Sequence, residues 1–140
     1  MIYIDTSALV PAFIREPASE AVLAWLEAAG QRLVVSEWAI TEFSSAAAMK
    51  VRTGAIAPAL AKQARTRFLE FAQDHCSIAV PQRAEFHRAA ELAGDVNLGL
   101  RAGDALHLAI AEASNAEGIL CLDEAMAAGA RMMGLNVLSV

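Results

Sequence analysis

Four acidic residues stand where a carboxylate can do chemistry: Asp5, Glu42, Asp104 and Asp123. Asp5 follows the apolar run Ile2-Tyr3-Ile4 and Asp123 follows Ile119 to Leu122, so both acids fall at the carboxyl ends of expected strands. In open α/β sheets, function collects beyond those ends. Glu42 lies within Trp38-Ala39-Ile40-Thr41-Glu42-Phe43, flanked by core-forming residues rather than by other charges. Asp104 opens a helical stretch behind Ala102 and Gly103, small residues that let the helix start pack close to a neighbouring backbone. Carboxylates crowd unfavourably: at ~4 Å and an effective dielectric of about 20, two like charges repel by about 4 kcal/mol. A fold tolerates such a cluster mainly when a divalent cation neutralises it or a proton is shared. Taken singly, each acid has a plainer account. Asp5 or Thr6 can cap a helix, Asp104 suits a first helical turn, Glu42 can be solvated or half an ion pair, and Asp123 can be a turn residue. Their joint placement carries the inference.

The elements that must position these acids alternate along the chain. Ile2-Tyr3-Ile4, Leu33-Val34-Val35, Ser77 to Val80, Ile119 to Leu122 and Val137 to Val140 read as strands. Apolar runs without alternation are typical of a parallel sheet covered on both faces. Between them lie helical signatures. Ala21, Leu23, Ala24, Leu26 and Ala28 form a stripe that stops at Gly30. Ser36 caps a helix running to about Arg52, and Pro58 suits the first turn of the next, which carries Leu60, Ala64, Phe68, Leu69 and Phe71. Further helices are expected from Gln82 to about Asp95, from Ala102 or Asp104 to about Ser114, and from Glu124 to Met133, closing at Gly134. The order β-α-α-β-α-α-β-α-α-β-α-β predicts a three-layer α/β/α sandwich around a parallel sheet of about five strands. With no repeat, low-complexity tract or linker, residues 1–140 are expected to form a single domain.

Composition narrows the classes. The chain of 140 residues is 56% hydrophobic and 19% charged, with a mean hydropathy of +0.40. Disorder is excluded, because that apolar content can offset chain entropy. No apolar run approaches the ~18 residues that a membrane span needs, and Met1 to Asp5 lacks the basic start of a signal peptide. A cytoplasmic protein without membrane contact is the expectation. Net charge is −5, so nucleic acid would have to be held by a local patch. From Lys50 to Arg67 the chain carries Lys50, Arg52, Lys62, Arg65 and Arg67 without a single acid. On charge alone this is a solvated helix face or a phosphate-binding strip. Cys76 and Cys121 lack metal-ligand spacing and are expected as buried, reduced thiols.

Four segments, in order and at these separations, resemble the PIN-domain ribonucleases, and among them the VapC toxins of prokaryotic toxin–antitoxin pairs. They are Ile4-Asp5-Thr6-Ser7-Ala8-Leu9, Ser36-Glu37-Trp38-Ala39-Ile40-Thr41-Glu42, Leu100-Arg101-Ala102-Gly103-Asp104-Ala105-Leu106-His107-Leu108-Ala109, and Leu122-Asp123 through Gly134-Leu135-Asn136-Val137. The resemblance spans essentially the whole chain. It implies a catalytic acidic pocket of Asp5, Glu42, Asp104 and Asp123, with Thr6 or Ser7 supporting it by hydrogen bonding. One departure is Cys121, where such proteins often carry a threonine two places before the last acid.

An acidic pocket without His or Cys ligands suits Mg²⁺, with Mn²⁺ as the other candidate. Such ions could activate a water and stabilise the leaving oxygen of an RNA phosphodiester. Asp5, Glu42 and Asp104 are the expected metal-binding core, with Asp123 acting through a second ion or bound water. His107 shares a helix face with Asp104 and reads as a buried structural histidine. Lys50, Arg52 and Arg65 are the candidate RNA contacts, with Arg15 and Arg101 as further cations. The resemblance also implies a homodimer and a small antitoxin partner. Ala12-Phe13-Ile14 and Trp25-Leu26 are either docking surface or core. Two competing readings are a PIN-fold binding module without catalysis and a haloacid-dehalogenase-type phosphatase. The phosphatase would want an acid where Ser7 stands.

Overall fold

The computed structural model describes residues 1–140. Five strands form one sheet in the order β3-β2-β1-β4-β5. They are β1 (Ile2–Ile4), β2 (Leu33–Ser36), β3 (Cys76–Ala79), β4 (Gly118–Leu120) and β5 (Asn136–Leu138). Every pairing is parallel; Ile2 faces Leu33 on one side and Gly118 on the other. The chain therefore winds outward from β1 in one direction through β3, then returns to the other side of β1 for β4 and β5. That reversal puts a topological switch point between β1 and β4, the place where open α/β sheets leave a crevice at their carboxyl ends.

Alternation along each strand divides the core. Ile2, Ile4, Leu33 and Val35 point to one face, and Tyr3, Val34 and Ile119 to the other. The first face is covered by α1 (Thr6–Phe13), α3 (Glu37–Arg52) and α4 (Pro58–His75), with α2 (Ser19–Ala28) packed on α1. The second is covered by α5 (Arg83–Gly94), α6 (Ala102–Ala113) and α7 (Glu124–Met132). The three-layer α/β/α sandwich predicted from the alternation of elements is the architecture observed. On the first face, Phe13, Phe43, Phe68 and Phe71 interlock, with Phe43 and Phe68 ring centroids 4.7 Å apart.

Local signals explain most boundaries. Ser36 accepts a hydrogen bond from Ala39 N at 3.1 Å and so caps α3, which sets the helix carrying Glu42. Pro58 occupies the first turn of α4, where its missing N–H is no loss. Gly134 takes φ +81 just past α7, a left-handed turn that glycine makes without strain. The third and fifth strands each begin one residue earlier than the apolar runs suggest. The fourth is shorter than expected: it ends at Leu120, because the ladder to β1 closes with Ile4 paired to Leu120. Cys121, Leu122 and Asp123 thus form a loop beyond the sheet rather than its last residues.

Ala12-Phe13-Ile14, docking surface or core on sequence alone, packs against the core at Phe13 and Ile14, while Ala12 is half-buried at the edge of a cleft. Ile14 is buried and Phe13 sits in the aromatic cluster, while Trp25 and Leu26 are half-buried against the same core. No helix is long and apolar enough to cross a membrane. Much of the 56% apolar content lies in a core on each face of the sheet, while large apolar side chains such as Leu23, Met49, Phe86 and Met132 stay exposed. Removing Phe68, which is wholly buried between Phe13 and Phe43, should cost about 3–5 kcal/mol in urea unfolding of Phe68→Ala. A loss below about 1 kcal/mol would contradict a tightly packed first face.

Candidate active site

Asp5 is the residue at which β1 turns into α1. Its backbone N–H still bonds to Leu120 O at 3.0 Å, which extends the β1–β4 pairing by one residue. Its side chain caps α1, accepting from Ser7 N at 3.0 Å and from the Ser7 hydroxyl on the same oxygen, Oδ2. Ser7 Oγ accepts in turn from Leu122 N at 2.8 Å, tying the loop after β4 to the start of α1. The Cys121 thiol lies 3.6 Å from Asp5 Oδ2. Asp5 is nearly buried, at 4% exposure, and a carboxylate in that position needs such donors.

Glu42 reaches the same place from α3. Its Oε2 accepts from Thr6 Oγ1 at 2.8 Å and from His107 Nε2 at 2.6 Å. His107 Nε2 also stands 3.2 Å from Asp5 Oδ1. One imidazole nitrogen on α6 therefore holds two carboxylates from two other elements. The other nitrogen, Nδ1, is 2.7 Å from the Tyr3 hydroxyl, which is 2.8 Å from Ser36 Oγ. One arrangement of protons satisfies the whole series. Ser36, already accepting from Ala39 N, donates to Tyr3; Tyr3 donates to His107 Nδ1; His107 Nε2–H donates to Glu42. Burial pushes the Tyr3 hydroxyl well above its ordinary pKa, which keeps it a donor. Burial would also raise the Glu42 carboxyl, but hydrogen bonds from His107 and Thr6 and the nearby charge of Arg101 outweigh it and hold Glu42 below its usual value.

Asp104 lies in the first turn of α6, preceded by Gly103. A Cβ on Gly103 would meet Glu42 Oε1 at 2.8 Å, and the Trp38 indole would flank it at 3.6 Å. With glycine there, the α6 start comes this close to Glu42 without displacing its Oε1. The Trp38 indole N–H is the one buried side-chain donor without a partner. Arg101 donates to Asp104 Oδ2 at 3.2 Å and to Asp123 Oδ2 at 3.3 Å, while Asp123 Oδ1 caps α7 at Met126 N. The carboxyl end of the sheet thus carries two adjoining acid pairs. Asp5 and Glu42 are fixed by His107, Thr6 and Ser7, and their ligand atoms with that of His107 lie within 4.8 Å of one another. Asp104 and Asp123 stand outside that tight group and share Arg101.

Three carboxylate oxygens remain with capacity to spare. Glu42 Oε1 and Asp104 Oδ1 accept no protein hydrogen bond, and Asp5 Oδ1 meets only His107. Hard oxygen donors of this kind suit Mg²⁺ or Mn²⁺. Thr6 and Ser7 both lie against carboxylates, Thr6 on Glu42 and Ser7 on Asp5. Cys121 offers no substitute hydroxyl or thiolate, since burial, reinforced by the Asp5 charge, pushes its thiol up to about 12.

The cationic strip fares differently. Lys50 is committed to a salt bridge with Glu16, half-buried on both sides, so it is not a free phosphate contact. Arg52 and Arg65 are exposed and carry no salt bridge. Arg52 ends α3, ten residues and about 15 Å along the helix axis from Glu42. The structure therefore does not bring the strip into the acidic site itself. A cleft of about 880 Å³ also lies away from the acids, along the α1–α2 turn and beside Arg67. Sequence reasoning passed over the clamping role of His107 and the bridging role of Arg101. Their nearness to Asp104 was the only signal available.

A parallel sheet with carboxylates gathered at its switch point defines an α/β protein of the acidic-site class. The chain belongs to the PIN domain family, whose pattern it matches over residues 2–131. No curated protein sequence matches it significantly. Among solved structures it is similar to VapC20 of Mycobacterium tuberculosis, a sarcin–ricin-loop-cleaving toxin. The TM-score is 0.74 at 13% identity, over 91% of this chain and 94% of that one. It is also similar to VapBC2 of Rickettsia felis bound to a promoter DNA fragment, with TM-score 0.67, 18% identity and coverage of 99% and 98%. FitAcB of Neisseria gonorrhoeae gives TM-score 0.68 at 15% identity, covering 99% of this chain and 97% of that one. At these identities the likeness is one of fold.

Tyr3→Phe tests the clamp, because it keeps the ring and deletes one hydroxyl. It leaves His107 Nδ1 without a partner and the Ser36 hydroxyl proton without an acceptor, although Ser36 Oγ still accepts from Ala39 N, and should lower stability by about 1–3 kcal/mol in urea titration. No loss would mean that the series of bonds is not made.

Proposed function

We propose that the chain is a metal-dependent endoribonuclease that hydrolyses RNA phosphodiester bonds. The observation that carries this reading is the meeting of acids from four separate segments at one sheet end, with oxygens of Asp5, Glu42 and Asp104 still available. A phosphodiester is anionic, so bare carboxylates would repel it. Asp5, Glu42 and Asp104 are the residues to hold Mg²⁺ or Mn²⁺, with Asp123 at the outer edge. When bound, such an ion supplies an activated water and charge neutralisation at the phosphate. The chain's own residues do the rest. His107 and Thr6 keep Glu42 charged and aimed; Ser7 keeps Asp5 fixed to the loop after β4. The unpartnered Trp38 N–H beside Gly103 is suited to an acceptor oxygen rather than to a cation.

Membership of the PIN family and fold likeness to a toxin such as VapC20 support the further reading of a toxin held in check by a small antitoxin. Homodimerisation and action on cytoplasmic RNA belong to the same reading. The cleft of about 880 Å³ along the α1–α2 turn is lined by Phe13 and Leu23 together with the charged Arg15, Glu20 and Arg67. Apolar and charged groups side by side suit a protein interface, which supports this cleft as the antitoxin's seat.

Purified protein should cut total RNA at specific positions with Mg²⁺ and not with EDTA. Asp104→Asn should keep the wild-type circular dichroism and melting curve while cleavage falls at least about a hundredfold, the scale on which removing one transition-state contact acts. Full activity in that variant would refute the assignment, and absence of metal-dependent cleavage by the wild type would leave a PIN-fold binding module. Arg52→Ala and Arg65→Ala should each weaken RNA binding and reduce its salt slope by about one, without changing metal affinity. An unchanged slope would remove the strip from the RNA path.

A further inference from the structure

The outer acid pair already has a cation on it, supplied by the chain. Arg101 stands just before α6, and its guanidinium spans from Asp104 at 3.2 Å, on α6, to Asp123 at 3.3 Å, in the loop after β4. Those two carboxylates are its only hydrogen-bonded acceptors. The side chain is otherwise in solvent, at 77% exposure, whereas Asp104 is 16% exposed and Asp123 32%. The inner pair is built in the opposite way: Asp5 and Glu42 are held by uncharged hydroxyls, a backbone amide and the buried His107. One half of the site is held from within the core, and the other is closed by a solvated charge.

Exposed ion pairs contribute little each and weaken with salt. A divalent ion on Asp104 would draw on the carboxylate that Arg101 now neutralises, and two cations so close repel. We propose that Arg101 is the resident counter-cation of the metal-free site, and that a divalent ion displaces its guanidinium from Asp104 and Asp123. The inference rests on the reading of the pocket as a divalent-ion site and goes beyond it by giving Arg101 a role in the metal-free state. Linkage makes the claim quantitative: if the metal expels the guanidinium, deleting the guanidinium must tighten the metal by the same coupling factor.

Two measurements decide it, neither of them activity. The first follows the Arg101 Nε–H signal by nitrogen-15 NMR, identified by its loss in Arg101→Gln, while Mg²⁺ is added to the wild type. The hydrogen-bonded signal should shift and lose protection in step with site filling. The second is calorimetric titration of Mn²⁺ into wild type, Arg101→Gln and Arg101→Lys. Arg101→Gln should bind about two- to tenfold more tightly, the span that two exposed ion pairs carry, and the gain should shrink at high salt. Arg101→Lys keeps the charge without the planar fork and should fall between the two. A saturated site with an unmoved Arg101 signal overturns the proposal, as does equal Mn²⁺ affinity of wild type and Arg101→Gln; both leave the metal pocket standing. Arg101→Lys matching the wild type while Arg101→Gln gains also overturns it, since the effect is then one of field rather than occupancy. Failure of the wild type and both Arg101 variants alike to bind a divalent ion sinks the pocket reading and the Arg101 role together.

Discussion

Carboxylates gathered at one end of a sheet must be compensated before the chain can close around them, and this constraint organises the molecule. Asp5 shows it most sharply. At 4% exposure an uncompensated charge would be costly, and the surrounding chain supplies a backbone amide, a hydroxyl, a thiol and an imidazole to its two oxygens. Each donor comes from an element that the fold needs there anyway. Ser7 belongs to the helix that Asp5 caps, Cys121 to the loop beside it, and His107 to the helix packed on the second face. Neutralising the charge and assembling the layers are thus one event.

The compensation is uneven, and the unevenness has a functional sense. His107 binds Glu42 and Asp5 from inside, backed by Tyr3 and Ser36 out of solvent. Such a series resists rearrangement, because breaking any bond strands a buried polar atom. It keeps Glu42 charged despite burial, the protonation state that a ligand for a cation requires. Asp104 and Asp123 are compensated from outside by a guanidinium in solvent. On the proposed reading of a divalent-ion site, this arrangement puts rigidity on the core side and exchangeability on the solvent side.

Much of this was legible in the chain, and the reason is local. The acids mark strand ends and helix starts, Ser36 and Pro58 announce helices, and apolar runs without alternation announce a doubly covered sheet. What stayed hidden depends on distant partners. Tyr3 and His107 are 104 residues apart, and Glu42 and His107 are 65 apart; no period in a single sequence links them. The same holds for Lys50, which reads as a free cation among acid-free neighbours until the fold sets Glu16 against it. Phe13 looked equally fit for a surface or a core, and only the arrival of Phe43, Phe68 and Phe71 decides between them. The fourth strand ended early for a tertiary reason as well, since its partner β1 has only three residues.

Gly103 joins the two halves of the site and shows how a backbone requirement becomes an electrostatic one. Any side chain there would drive its Cβ to within 2.8 Å of Glu42 Oε1, closer than packed atoms tolerate. Either Glu42 Oε1 would swing aside, or the start of α6 would retreat and carry Asp104 with it. The inner pair depends on the first contact and the outer pair on the second. The close approach of one helix start to one glutamate therefore sets the spacing between the two acid pairs.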